Sequence, residues 1–226
     1  PTQAVGVYVA KMALSGRVWV NGHLIGGCER GALPELRCLH RPYLFDTPAV
    51  YWHAGRNELQ WDIYATARQS NGLSSVWVGD VAELEAQFYR WRYWRQVDLM
   101  RGLTWLSMVV GLLALGAAAV LRKESVYVWF GLTSVVNGLS NIGVFVSHAL
   151  WQADVFNWFV FSSRLLSSCL GMMMFTAFFD KLTPTWRNLG LLYSAVSLVA
   201  IGVTQSNRAL VSALYVPLLL AGATLM

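Results

Sequence analysis

Few side chains in this sequence are arranged to make or break bonds. His23, His40, His53 and His148 stand at no metal-ligand spacing from cysteine or carboxylate. No glycine-rich phosphate loop follows a strand pattern, and no nucleophile stands beside a base. No catalytic set and no metal site are therefore expected. Two other groups of polar residues draw attention. Asn21, His23, Arg41 and Trp52 fall near expected loops, where they suit contact with a small ligand. Arg164, Asn137 and Asn141 lie inside apolar runs. A central arginine there costs roughly 2.5–3.5 kcal/mol on insertion scales. Asn137 and Asn141 are one helical turn apart, with Ser134 on the same side, and serines 162, 163, 167 and 168 surround Arg164. These residues form either a polar network inside a bundle or plain interhelical hydrogen bonds, and the second reading asks less. Cys28 and Cys38 make an even pair that suits a disulfide in an oxidising compartment or two free thiols, while Cys169 falls in an apolar run.

The element that must position all of these is Gly102 to Leu121, a stretch with no charged residue. Its length as a helix is roughly 30 Å, the hydrocarbon thickness of a bilayer. Arg122-Lys123-Glu124 ends it. The lead-in from Phe88 to Arg101 has no proline or glycine, so one helix can run from a polar part into the membrane. Composition agrees: 13% of residues are charged and mean hydropathy is +0.45, against about 25% charged in ordinary soluble domains. Eleven Lys/Arg and nine Asp/Glu precede Gly102, and six and three follow, so the net charge of +5 is spread over both halves. No basic face interleaved with aromatics points to nucleic acid. The chain starts without Met and ends inside an apolar run, so a preceding signal segment and further residues after Met226 are expected.

Residues 1–79 read as strands and turns. Val5–Ala10 is β-branched and aromatic. Arg17-Val18-Trp19-Val20 meets Asn21-Gly22, a strong hairpin signal, and His23-Leu24-Ile25 returns. Another strand is expected at Pro42–Phe45. Glu58–Tyr64 alternates, with Leu59, Trp61 and Ile63 on one face, and Val76–Gly79 is the last strand. Short strands with turns between them predict a β-sandwich or jelly roll. Residues 80–101 predict a juxtamembrane helix, capped by Asp80, with Leu84, Phe88, Trp91 and Trp94 at three-and-four spacing. Trp91, Tyr93, Trp94 and Trp105 suggest an interfacial aromatic belt, and Arg90, Arg92, Arg95 and Arg101 suit lipid phosphates. Residues 102–226 predict about five spans, the later ones at Val126–Val146, Val155–Phe179, Asn188–Thr204 and Ala209–Met226. Lys and Arg concentrate in the loops after the first and third spans, which puts those loops in the cytoplasm and the N-terminal domain outside.

The order VWVNG, then GRNELQWDIY, then VWVGD, then an arginine- and tryptophan-rich helix, then a span ending Arg-Lys-Glu before Tyr127-x-Trp129-Phe130-Gly131 resembles one family. It is the bacterial seven-transmembrane receptors with diverse intracellular signalling modules, most closely those attached to sensor histidine kinases. The Asn21-Gly22 and Gly55-x-Asn57 positions match the galactose-binding-like jelly roll of that family. The resemblance implies a periplasmic sensor domain, whose first strands are absent here, and a multi-pass bundle in the inner membrane. It also implies a homodimer and a cytoplasmic output module beyond Met226. A kinase output would use ATP and Mg2+ and act on a response regulator, whereas some relatives carry a diguanylate cyclase or a phosphatase. The ligand would be a small molecule, carbohydrate among the candidates. Two rivals stay open: a transporter or channel subunit, with Arg164, Asn137 and Asn141 along its path, and an envelope enzyme with a carbohydrate-binding accessory domain.

Overall fold

A computed structural model describes residues 4–12, 15–28, 41–64, 72–121, 125–147, 149–204 and 208–225. Cys38, His40 and His148, the Arg122-Lys123-Glu124 stop and Met226 lie outside these residues. Among the described residues six strands come first: β1 Val5–Val9, β2 Ser15–Val20, β3 His23–Gly27, β4 Tyr43–Thr47, β5 Leu59–Tyr64 and β6 Val76–Asp80. Five helices follow: α1 Val81–Leu121, α2 Ser125–Phe145, α3 Ala153–Phe178, α4 Pro184–Val203 and α5 Arg208–Leu225. The chain divides into two compact units. One is Pro1–Met100 with Val144–Leu150, and the other is Arg101–Gly143 with Trp151–Met226.

The first unit holds two three-stranded antiparallel sheets, ordered β4-β1-β6 and β3-β2-β5. Asn21 and Gly22 turn the β2–β3 hairpin with φ of 48° and 81°, the left-handed pair that such a tight turn needs. Val7, Val9 and Phe45 from one sheet and Val18 from the other share a buried core with Met12, and Leu59, Trp61 and Val76 pack against it. Ile63 stays partly exposed, so the expected apolar face of β5 is buried only in its first two members. Gly26 admits the Phe45 ring: a Cβ there would sit 2.5 Å from the ring. Strand β1 is buried on both faces, because Gly6 and Tyr8 are as covered as Val7 and Val9.

The second unit is helical. Among the described residues of the whole chain, four helices are long and apolar enough to cross a membrane: Val81–Leu121, Val126–Phe145, Ala153–Phe178 and Pro184–Val203. The fifth expected span is represented among the described residues by a shorter apolar stretch, Ala209–Leu218. Helix α4 begins four residues before the apolar run that marks it. Thr183 caps it by accepting from the Trp186 N–H at 3.3 Å, and Pro184 fits the first turn. Glycines set the helix contacts. A Cβ on Gly111 would meet the Gly131 carbonyl and Ser134 at 2.9 Å, and one on Gly143 would meet Val160 at 2.7 Å. The Ser107 hydroxyl adds a bond to the Ser134 carbonyl at 2.9 Å. Helix α3 is the most buried span and packs on α4 and α5 through Leu165, Ile201 and Val211.

Candidate functional site

The best-built arrangement in the first unit is the seat of α1 on the β4-β1-β6 sheet. The helix starts where β6 ends, because Asp80 leaves the strand and its carboxylate accepts from the Ala82 and Glu83 N–H groups at 2.9 and 3.1 Å. Such a cap is worth about 1 kcal/mol. Gly6 lets the first turn close on the sheet: a Cβ there would lie 3.1 Å from Leu84 Cδ1 and 3.2 Å from the Val81 backbone. One turn on, the Phe88 ring stacks on both Trp77 and Tyr8, with centroids 5.0 and 5.8 Å away. Tyr8 and Trp77 are register partners on β1 and β6, so Phe88 bridges two strands. Aromatic contacts of this kind add about 0.5–1.5 kcal/mol each beyond area burial.

The helix winds unevenly along this seat. Its turns are wide, i→i+5, at Glu85–Tyr89 and Trp94–Asp98. Leu84 and Val97 are roughly 3.6 turns apart at regular α-helical winding, which would place them on opposite sides. The wide turns take more residues each and allow both to be buried, as they are. Burial pushes the Tyr8 phenol above its ordinary pKa, and the nearby Arg92 guanidinium pulls it partly back. The Tyr8 hydroxyl is nevertheless buried without a well-formed hydrogen bond. Tyr89 is raised by burial too, with the neighbouring Tyr93 adding to the shift and the charge of Arg41 opposing it.

The residues suggested for ligand contact do not form one cluster by hydrogen bonding. Asn21 spends its amide on structure, donating to the Tyr51 carbonyl at 2.7 Å and to Asn57 Oδ1 at 2.8 Å and accepting from the Glu58 N–H at 2.8 Å. Asn57 in turn braces the His53–Gly55 turn. The paired Asn-Gly and Gly-x-Asn signals thus meet in space as a tie between two turns. His23 is exposed, its ring flat on Tyr51 at 4.3 Å. The Trp52 indole N–H donates to Thr47 Oγ1 at 2.7 Å, and that hydroxyl donates to the Val5 carbonyl. Arg41 donates to the Phe145 carbonyl at 2.8 Å, within the same compact unit. Cys28 is in a disulfide and Cys169 is a free buried thiol, while Cys38 lies outside the described residues.

In the second unit Arg164 is exposed, Asn137 is exposed and Asn141 is half-buried. Neither of two cavities in this unit is lined by any of the three. One, of about 180 Å³, lies among α3, α4 and α5 and is walled by Met172, Met173, Trp186, Tyr193 and Pro217. The other, of about 390 Å³, lies between the start of α2 and the end of α3 and is aromatic-lined by Phe130, Phe175 and Phe178. Among the described residues, no group of three or more His, Cys, Asp or Glu could hold a metal ion.

Reading the sequence found Leu84 and Phe88 on the helix but not Gly6, Tyr8 and Trp77 opposite them. The signal was present, since VGVYV has no polar face and so reads as a strand covered on both sides. No protein-family model, curated protein or solved structure matches this chain.

Proposed function

We propose that this chain is the input region of a bacterial signal-transduction receptor. In this reading the paired sheets belong to a galactose-binding-like jelly roll in the periplasm, the bundle lies in the inner membrane, and an output module follows Met226. A sensor histidine kinase, using ATP and Mg2+ and passing phosphate to a response regulator, is the leading form, and a diguanylate cyclase is the alternative. The observation that supports it is the seat of Val81–Phe88 on β1 and β6, made by a helix that continues unbroken through a span of membrane length. A change in the sheets, such as ligand uptake at a loop, would move Phe88 and Leu84 and with them the helix. A shift between two arrangements differing by a few kcal/mol suffices to change output. A transporter is the other reading, in which Arg164, Asn137 and Asn141 would lie along a path.

The test inserts one and then two alanines after Gln96 in the full-length protein and measures output. Each insertion rotates the two ends of the helix by roughly 100° per residue. Output should change with each insertion, by different amounts. Unchanged output in both would defeat the proposal.

A further inference from the structure

Helices α3 and α4 leave a slot between them. On α3 its wall is Cys169, Met172, Met173 and Thr176, and on α4 it is Trp186, Leu189, Gly190 and Tyr193. Each set follows the i, i+3, i+4, i+7 spacing of one helix face, so the cavity runs along the two helices for about 10 Å. Pro217 and Leu218 of α5 complete the wall. The volume of about 180 Å³, spread over that length, leaves a cross-section of roughly 18 Å², the width of one alkyl chain rather than of a ring system.

The floor of the slot is covered, with Cys169 2%, Met173 4% and Thr176 6% exposed, while Trp186 and Leu189 at the rim are 45% and 53% exposed. It therefore opens outward, to whatever surrounds the bundle. The hydroxyls on its wall are spent inside the protein. Thr176 donates to the Met172 and Met173 carbonyls at 3.0 Å, and Tyr193 donates to the Leu214 carbonyl. An occupant gains no hydrogen bond from them, so its buried part must be apolar. One end differs. Leu182 and Trp186 line the slot there, and beside them in sequence stand Lys181 and Arg187, both exposed. Asp180 returns one negative charge, which leaves that end net basic.

We infer that this slot binds an anionic phospholipid of the surrounding bilayer, one acyl chain lying in the slot and the phosphate resting on Arg187 and Lys181. An alkyl-wide apolar channel fits the chain. A rim with a tryptophan, the residue of the headgroup level, fits the ester and phosphate region. Basic groups at the mouth of a pocket between membrane helices are what hold an anionic headgroup. The inference needs only that these helices cross a membrane, and holds whether the protein signals or transports.

The test is native mass spectrometry of the full-length protein in mild detergent, titrated with phosphatidylglycerol and, separately, with phosphatidylcholine of the same chains. The native protein should bind phosphatidylglycerol more tightly, by roughly fivefold for each basic residue engaged. Lys181→Glu with Arg187→Glu should erase that preference and leave phosphatidylcholine binding unchanged. Leu189→Trp, which adds bulk at the exposed rim without touching the floor, should weaken both lipids severalfold. Val199→Trp, on the same helix and 66% exposed, should weaken neither. A diazirine in the acyl chain of phosphatidylglycerol should label peptides within 169–193 above every other span. That arm uses the unmutated protein, so it does not depend on how the variants fold. Equal affinity of the native protein for both lipids, unchanged binding in Leu189→Trp, or label spread evenly over the spans would overturn the inference.

Discussion

The two units differ in what they expose and in what they bury beside their apolar cores. In the sheet unit, valines and aromatics go inside: Val7, Val9, Val18 and Val20 are fully covered. In the helical unit many large apolar side chains stay outside, with Leu106, Leu113, Val120, Leu192, Val199 and Val203 all more than half exposed. That unit buries apolar residues such as Phe156, Leu165 and Ile201, and with them a set of small polar ones: Thr104, Ser140, Ser162, Ser163, Thr176, Ser194 and Ser197. Four of these seven hydroxyls return a bond to a carbonyl three or four residues back, as Ser163 does to Phe159 at 2.6 Å and Ser194 to Gly190 at 2.8 Å, while those of Thr104, Ser162 and Ser197 are buried without a well-formed hydrogen bond. One unit is thus built by removing apolar area from water. The other adds to its apolar contacts close backbone approach and buried hydroxyls, which is how helices associate where the solvent is itself apolar. Helix α1 has both kinds of environment along its length.

That contrast can be broken from either side. The largest effect is expected from Gly111→Leu, which drives a side chain into the Gly131 carbonyl and Ser134. It should cost about 3 kcal/mol or more, read as loss of the folded bundle in detergent melts. Phe88→Ala removes the ring that joins β1 and β6 to the helix and should cost about 2 kcal/mol in the sheet unit. Its effect on the helix signal should exceed that of a core change of equal cost, such as Val18→Ala, when output is assayed. Asp80→Ala should cost about 1 kcal/mol through the lost cap, seen as a lower melting temperature. Arg90→Ala should cost less than about 0.5 kcal/mol, since its 3.6 Å pair with Glu85 is solvent-exposed.

Tyr8→Phe sharpens the comparison by pH. The phenol ionises at higher pH when folded than when unfolded, so the unfolded state loses its proton first as pH rises above about 10. Stability therefore falls through that range in the native protein. Tyr8→Phe keeps the stacking on Phe88 and should melt within about 0.5 kcal/mol of the native protein at pH 7. It should also hold its fold to higher pH. A variant that loses stability equally at both pH values would show that the hydroxyl has a partner.

Much of this organisation was legible in the residues. The Asn-Gly turn, the alternation of β5 and the uncharged run from Gly102 each state a local rule that the surroundings do not override. The unbroken α1 was legible for the same reason, since nothing between Val81 and Arg101 can stop a helix. What could not be read was which face meets what. Asn21 looked available for a ligand because its partners, Tyr51 and Asn57, are distant in sequence. Trp52 gave no sign that Thr47 holds its indole. The wide turns at Glu85–Tyr89 and Trp94–Asp98 are marked by no residue inside them.

The contrast between the units is tested most directly by spin labels placed one at a time in native membranes and challenged with oxygen and with a water-soluble nickel chelate. Labels at Leu106, Val109 and Leu113 should relax strongly with oxygen and weakly with nickel, whereas labels at Glu58 and Asp62 should do the reverse. Strong nickel relaxation at Leu113 would put that face in water and contradict the account.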